Sequence, residues 1–217
     1  MEAGELQLAV SSYGSPPEIW IDGIPDSAAL AAWLRDYDQP AHFFAKPHLE
    51  PLVRANLNVE LIEKGDFHRL PVGWKSPKIP PLPIRRLISD DIPSLARLPD
   101  EAMEFFMFWK EIDEMVADTM IYGHMSQGDV DAFAMIVAQT GRFADIGVWT
   151  AKEKRRQGIS YACSLALIDY ILRTDRTPTW GCDHSNLASK SLSLKLGFVK
   201  IGEMFYASTK VATAEGD

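Results

Sequence analysis

Arg155, Arg156, Gln157 and Gly158 stand together in the stretch AKEKRRQGISYACSLALIDYIL, where a strand-like run gives way to a helix-like one. The type and spacing of these residues suit an anion. The first N–H groups of a helix have no partners inside it, and the helix dipole is positive at that end. Phosphate or another anion is held well there. A glycine has no Cβ, so the backbone at Gly158 can close on a ligand. The two guanidinium groups add charge-assisted contacts. The junction reads as a cradle for a phosphate-bearing ligand, against the alternative of a solvated basic turn that answers nearby acidic residues. The patterns GxxxxGK[ST] and GxGxxG are both absent, which takes support from kinase and nucleotide-dehydrogenase chemistry.

Proton transfer needs other residue types. Asp145 lies in the strand-like run ADIGVWT, where it shares one face with Gly147 and Trp149. It is the first candidate for a general base, the alternative being an exposed or edge carboxylate. His124 is a weaker candidate and reads more readily as structural. Cys182, Asp183 and His184 include metal-ligating types, but no second pair at zinc spacing accompanies them, so no metal is expected. No GxSxG elbow supports a serine hydrolase. Cys163 and Cys182 form no spaced framework and read as reduced thiols that pack as small apolar residues.

The elements that must position these residues fall into two groups. The run GDFHRLPVGWKSPKIPPLP at 65–83 holds five prolines and two glycines. Proline removes backbone donors and restricts its predecessor, so this run is expected to be a linker. Residues 1–82 alternate strand and helix as a small α/β domain, with Asp26 capping a helix whose apolar face is Leu30, Trp33, Leu34 and Tyr37. Residues 83–217 open with a strand and a helix, then EAMEFFMFWKEIDEMV as a second, aromatic-rich helix. Two strands follow around a turn at Gln127, Gly128 and Asp129. Beyond ADIGVWT comes a helix with Tyr161, Leu165, Ile168 and Leu172 on one face, then the strand PTWGCD and the helix NLASKSLSLKL. Gly197 is placed to end that helix in a left-handed conformation.

Arg155-Arg156-Gln157-Gly158-Ile159-Ser160 resembles the acyl-CoA signature of the GNAT acetyltransferase superfamily, Q/R-x-x-G-x-G/A, with Ser160 where glycine or alanine is usual. The run from Asn186 through Ser189 and Lys190 to Gly197-Phe198 resembles a second motif of that family, N-x-x-S-x-x-L-x-x-K-L-G-F. Two motifs in the right order are far more specific than either alone. The combination is similar to a branch that includes antibiotic-resistance acetyltransferases of the zwittermicin type, and it covers residues 83–206. The resemblance implies an α/β (α+β) fold: a mixed, mostly antiparallel central sheet flanked by helices. The N-terminal domain before it would be a decayed copy of the same fold.

The resemblance also implies roles. Backbone N–H groups of Arg155, Arg156, Gln157, Gly158, Ile159 and Ser160 would bind the pyrophosphate of acetyl-CoA. Val148, Trp149 and Thr150 would pair their backbone with the pantetheine arm. Asn186, Ser189 and Lys190 match positions that contact the cofactor, and Asn186 also suits a plain helix cap. An amine would attack the acetyl thioester directly, with Asp145 as base. The family's usual acid is a tyrosine four residues before the motif-ending glycine. Ser193 stands there, so Tyr206 or Tyr161 would have to substitute. Phe105, Phe106, Phe108 and Trp109 would wall the acceptor pocket or meet the N-terminal domain. The expected activity is N-acetyl transfer to an amine of a small molecule or peptide. The alternative is an acyl-CoA-binding sensor or scaffold without turnover.

Composition narrows the partners. The net charge is −8, from 22 basic and 30 acidic residues. Nucleic-acid binding needs a basic surface and is not expected. No apolar run approaches the roughly 18 residues of a membrane span, and the acidic start MEAGELQLAV lacks the basic residues of a signal peptide. No membrane partner and a cytoplasmic location are expected. An edge strand near the C-terminus could pair with a second copy as a homodimer.

Overall fold

The computed structural model describes residues 7–10, 18–22, 27–37, 39, 41–106 and 109–209. The expected cap Asp26 and the pocket candidate Phe108 lie outside them. The described residues divide into two compact units. The first comprises those within Met1–Asp66, Asp183–Ser185 and Gly202–Asp217; the second is Phe67–Cys182 with Asn186–Ile201.

Along the chain come β1 (Gln7–Val10), β2 (Glu18–Asp22), α1 (Ser27–Asp36), β3 (His42–Ala45), α2 (Glu50–Asn56) and β4 (Val59–Arg69). In α1, Leu30 and Leu34 are fully buried at the expected i, i+4 spacing, with Trp33 and Tyr37 packed beside them. They meet Ile19, Phe43, Val53 and Phe205 in the core of the first unit. The expected linker begins later than its composition suggested. Residues 65–69 are strand, because the first proline of the run is Pro71 and nothing before it removes a backbone donor.

The chain continues with β5 (Ile84–Arg86), α3 (Ile92–Leu95), α4 (Asp100–Met103), α5 (Ile112–Asp118), β6 (Ile121–Ser126), β7 (Asp129–Gln139) and β8 (Phe143–Thr150). Then come α6 (Ile159–Arg173), β9 (Thr177–Asp183), α7 (Leu187–Leu196) and β10 (Val199–Thr209). β10 pairs antiparallel with β3 from Phe205↔Ala45 to Ser208↔His42, so a C-terminal strand completes the sheet of the first unit. In the second unit, β5, β6, β7 and β8 pair antiparallel in sequence, and β9 joins β8 in parallel. The tight β6–β7 turn carries positive φ at Gln127 (54°) and Gly128 (88°), as a two-residue hairpin requires.

Helices cover this sheet. Ile159, Cys163, Leu167 and Ile171 of α6 pack on Ala132, Ala134, Ile136 and Ile146. Leu95, Phe106 and Met115, from the segment 92–118, pack with Phe133, Met135 and Trp149. The single aromatic helix expected from 101 to 116 is instead broken: α4 ends at Met103 and a 3-10 turn spans Glu104–Phe106 before α5. Successive residues of an α-helix point about 100° apart. The break lets Phe105 and Phe106 both reach Phe133, at ring-centroid distances of 5.7 and 5.5 Å. Among the described residues, no helix is long and apolar enough to cross a membrane.

Candidate functional site

β8 and β9 lie side by side only at their beginnings. Their register pairs are Phe143↔Thr177, Ala144↔Pro178 and Asp145↔Thr179, yet β8 runs on to Thr150 and β9 to Asp183. Beyond Asp145 the backbone of β8 keeps its partners on β7, from Met135↔Gly147 to Ala132↔Thr150, while its other edge is unpaired to β9. This is the edge of Val148, Trp149 and Thr150 that an extended ligand would need. Asp145 sits at the fork, half-buried, with Oδ1 accepting a hydrogen bond from Thr179 Oγ1 at 2.9 Å. Gly147, two residues on, is closely packed: a Cβ there would lie 2.5 Å from Val137 Cγ1 and 2.7 Å from Phe105 Cδ1. The Trp149 indole stacks on Phe133 and donates from Nε1 to Glu101 Oε1 at 3.3 Å.

The strand end leads into the basic loop and then into α6, fifteen residues long. Gly158 occupies the N-cap with φ +78° and gives no side-chain cap. The N–H groups of the first helical turn therefore have no intrahelical partner and no capping side chain. A Cβ at Gly158 would meet nothing within 4 Å, so the space before the helix is open. Arg156 also has positive φ, at 62°. Arg155 Nε donates to Thr150 O at 3.1 Å, and its Nη2 lies 3.6 Å from Glu101 Oε1. Gln157 Nε2 donates to Glu153 O at 3.0 Å. Thr150 Oγ1 is buried without a hydrogen-bond partner among the described residues. A cradle of free N–H groups, an open glycine and an unpaired strand edge fit a long anionic ligand with amide groups, which is the chemistry of acyl-CoA.

Behind the loop lies a polar cluster that the sequence did not announce. Asp131 is nearly buried and accepts from His124 Nδ1 at 2.8 Å and Ser126 Oγ at 3.0 Å, with Lys154 Nζ at 3.3 Å. Lys154 Nζ also donates to Ser126 Oγ at 3.0 Å. The strand register shifts between His124 and Met125, skipping Asp131. Such a bulge re-aims a side chain, and here it turns Asp131 toward His124. Burial pushes the Asp131 carboxyl up, but the hydrogen bonds from Ser126, His124 and Lys154 outweigh it and hold it below its ordinary range. His124, weighed from sequence as a base, is thus tied to a buried carboxylate. Cys163 is buried, and that burial raises its thiol to about 12, so it stays protonated at neutral pH.

The second motif builds the start of α7. Asn186 Oδ1 accepts from Ser189 N at 3.0 Å, the cap anticipated for it. Ser189 Oγ accepts from Trp180 Nε1 at 2.9 Å. Lys190 N–H donates to Asn186 O at 3.1 Å. Ser193 is fully buried, and its hydroxyl donates to Lys190 O at 2.9 Å, a helix-internal bond. Tyr161 lies under Lys195, whose Nζ is 4.8 Å from the ring centroid. Tyr206 belongs to the first unit, where its hydroxyl is 2.5 Å from His42 Nδ1. Asp145, 148–150, 155–160, Asn186, Ser189 and Lys190 all belong to the second unit.

The family model for the GNAT acetyltransferase matches residues 86–205. An uncharacterized N-acetyltransferase of Bacillus subtilis, YdfB, is 22% identical over 156 residues, which is 71% of this chain and 59% of that protein. The chain thus spans less than two thirds of that relative's length. A GCN5-related N-acetyltransferase-like protein from Streptococcus suis is similar in structure with a TM-score of 0.67 at 15% identity, over 93% of this chain and 82% of that one. A tandem GNAT protein from the clavulanic acid biosynthesis pathway gives 0.58 at 13% identity, over 96% and 79%. At these identities the structural likeness concerns the fold.

Proposed function

The chain belongs to the GNAT acetyltransferase family, and on that premise we propose that it transfers an acetyl group from acetyl-CoA to a primary amine by direct attack. The observation that carries this reading is the fork after Asp145↔Thr179, joined to an uncapped helix N-terminus at Gly158. When bound, acetyl-CoA supplies the activated acetyl thioester. The backbone N–H groups of Arg155, Arg156, Gln157, Gly158, Ile159 and Ser160 hold its pyrophosphate. The unpaired edge of Val148, Trp149 and Thr150 orients the pantetheine arm, with Asn186, Ser189 and Lys190 on the far side of the fork.

The remaining steps belong to the chain's own groups. Asp145 takes the proton of the acceptor amine, directly or through water, with its carboxylate oriented by Thr179. The same unpaired edge of β8 offers backbone N–H groups, the donor type that takes up charge developing on a carbonyl oxygen. As the new C–N bond forms, the thioester C–S bond breaks and CoA departs as its thiolate, a tolerable leaving group without an acid; the Tyr206 hydroxyl, the acid named from sequence, is hydrogen-bonded to His42 Nδ1. Phe105 and Phe106, on the face of Gly147 and Trp149, wall the acceptor side. The acceptor is an amine of a small molecule or peptide, and the net charge of −8 favours a cationic one through long-range attraction.

Calorimetric titration of the purified chain with acetyl-CoA, free CoA and ATP tests this. Both CoA species should bind and ATP should not. Gly158→Glu, which sets bulk and like charge against the pyrophosphate, should abolish the heat. Binding unchanged in that variant would sink the loop assignment, and acetyl-CoA binding without turnover of any amine screened would leave only a sensor.

A further inference from the structure

Asp66, His184 and Glu203 meet in the first unit. One ligating atom from each lies within 4.8 Å of the others: an imidazole nitrogen and two carboxylate oxygens. They come from three distant stretches of chain. Asp66 is on β4, His184 is the residue after β9 and Glu203 is on β10.

Two of the three are already set as ligands. Asp66 is fully buried, and its Oδ1 lies 3.0 Å from His184 Nε2. Metal–ligand bonds of about 2.0–2.2 Å, at tetrahedral or octahedral angles, put neighbouring ligand atoms roughly 3.0–3.5 Å apart. The Asp66–His184 pair therefore needs almost no movement to share an ion. The backbone that carries the imidazole is fixed, because the main-chain N–H of His184 donates to Lys64 O at 2.8 Å. Glu203 is exposed and can swing the remaining distance.

We propose that Asp66, His184 and Glu203 form a binding site for a divalent first-row transition metal of the zinc type. One nitrogen and two oxygen donors suit zinc or manganese, whereas magnesium and calcium prefer oxygen alone. Three protein ligands leave a coordination position for water. The ion ties β4, β10 and the short segment 183–185 to one point, so its effect is to stabilise the first unit. The site is independent of acetyl transfer.

The test uses the full chain, stripped with EDTA and dialysed. It is titrated by calorimetry with zinc chloride alone, and with magnesium chloride as control. One zinc ion per chain is expected, with a raised melting temperature and no magnesium heat. Glu203→Gln and His184→Ala should each weaken zinc binding by about tenfold or more. In EDTA the melting temperature of Glu203→Gln should match the parent, and His184→Ala, which strips a partner from buried Asp66, should melt lower but still cooperatively, which shows that the fold survives. No zinc uptake by the parent overturns the site. Uptake unchanged in His184→Ala overturns it equally, since another histidine would then hold the ion. Magnesium binding as well as zinc would overturn the metal class.

Discussion

Lys154 places its ammonium 3.3 Å from Asp131 Oδ1, while the backbone carbonyl of the same aspartate accepts from Ala151 N at 2.9 Å. One residue thus grips both ends of the turn from which the loop 155–160 departs. Positive φ at Arg156 is a conformation that L residues hold only when their surroundings insist on it. The grip on 151–154 is part of that insistence. Lys154→Met should weaken CoA binding by about tenfold, equivalent to roughly 1.4 kcal/mol, with little change in far-ultraviolet dichroism. Calorimetry reads the affinity. An unchanged dissociation constant would show that the clamp serves the strand end only.

Asp131 also gives the protein an acid-sensitive joint. Its folded-state carboxyl lies below the ordinary range because three hydrogen bonds outweigh the effect of burial. A group lowered in this way stabilises the fold fully above the unfolded value, near 3.9. That contribution disappears as pH falls through the lowered folded value. Asp131→Asn keeps the shape and removes the charge. At pH 7 it should lower unfolding stability by about 1–3 kcal/mol, measured in urea. Below pH 4 the gap between variant and parent should narrow. A constant gap across that range would assign the loss to packing. Asp91, held low chiefly by the paired hydrogen bonds from Arg85, supplies a second acid-sensitive contact that both proteins keep.

Gly197 ends α7 with φ +93°, and a Cβ there would lie 2.7 Å from Trp74 Nε1. That indole nitrogen donates to Leu196 O at 2.9 Å, satisfying one of the last carbonyls of the helix. Gly197→Ala therefore combines an unfavourable left-handed residue, about 1–2 kcal/mol, with displacement of a hydrogen-bonded indole. Trp74→Phe removes the bond without the backbone strain. The glycine variant should be the less stable of the two by urea unfolding. The reverse order would mean that the indole, and not the backbone, sets the helix end.

Gly197 was readable in the sequence because it acts locally. A glycine at a helix end reports the backbone it must adopt, whatever the rest of the chain does. The β6–β7 turn is of the same kind, and so is the cap at Asn186. Asp131 was not readable, because a bulge one strand away from the loop turns it into the cluster. The break after α4 depends on Phe133, more than twenty positions downstream, which two successive phenylalanines both contact. The carboxylates that meet His184, Asp66 and Glu203, arrive on other strands at no fixed spacing, so the run 182–184 gave no sign of them. Tyr206 had the chemistry of an acid in sequence, and its contact with His42 became visible only in the strand pairing of Tyr206 with Phe44 beside it.

Asp145 carries the sharpest prediction for turnover. Its carboxylate occupies the last paired position before the fork and receives the Thr179 hydroxyl. Asn at this position still accepts that hydrogen bond, so the fork should keep its geometry. It cannot take a proton from an ammonium. With a good amine acceptor, Asp145→Asn should lower kcat by about a hundredfold or more, leaving KM for acetyl-CoA close to the parent value. The pH dependence discriminates further. A parent rate that falls on the acid side, as the base becomes protonated, should lose that limb in the variant. Equal rates across pH would move the base elsewhere. A rise in KM with kcat preserved would instead show that Asp145 positions the acceptor by charge.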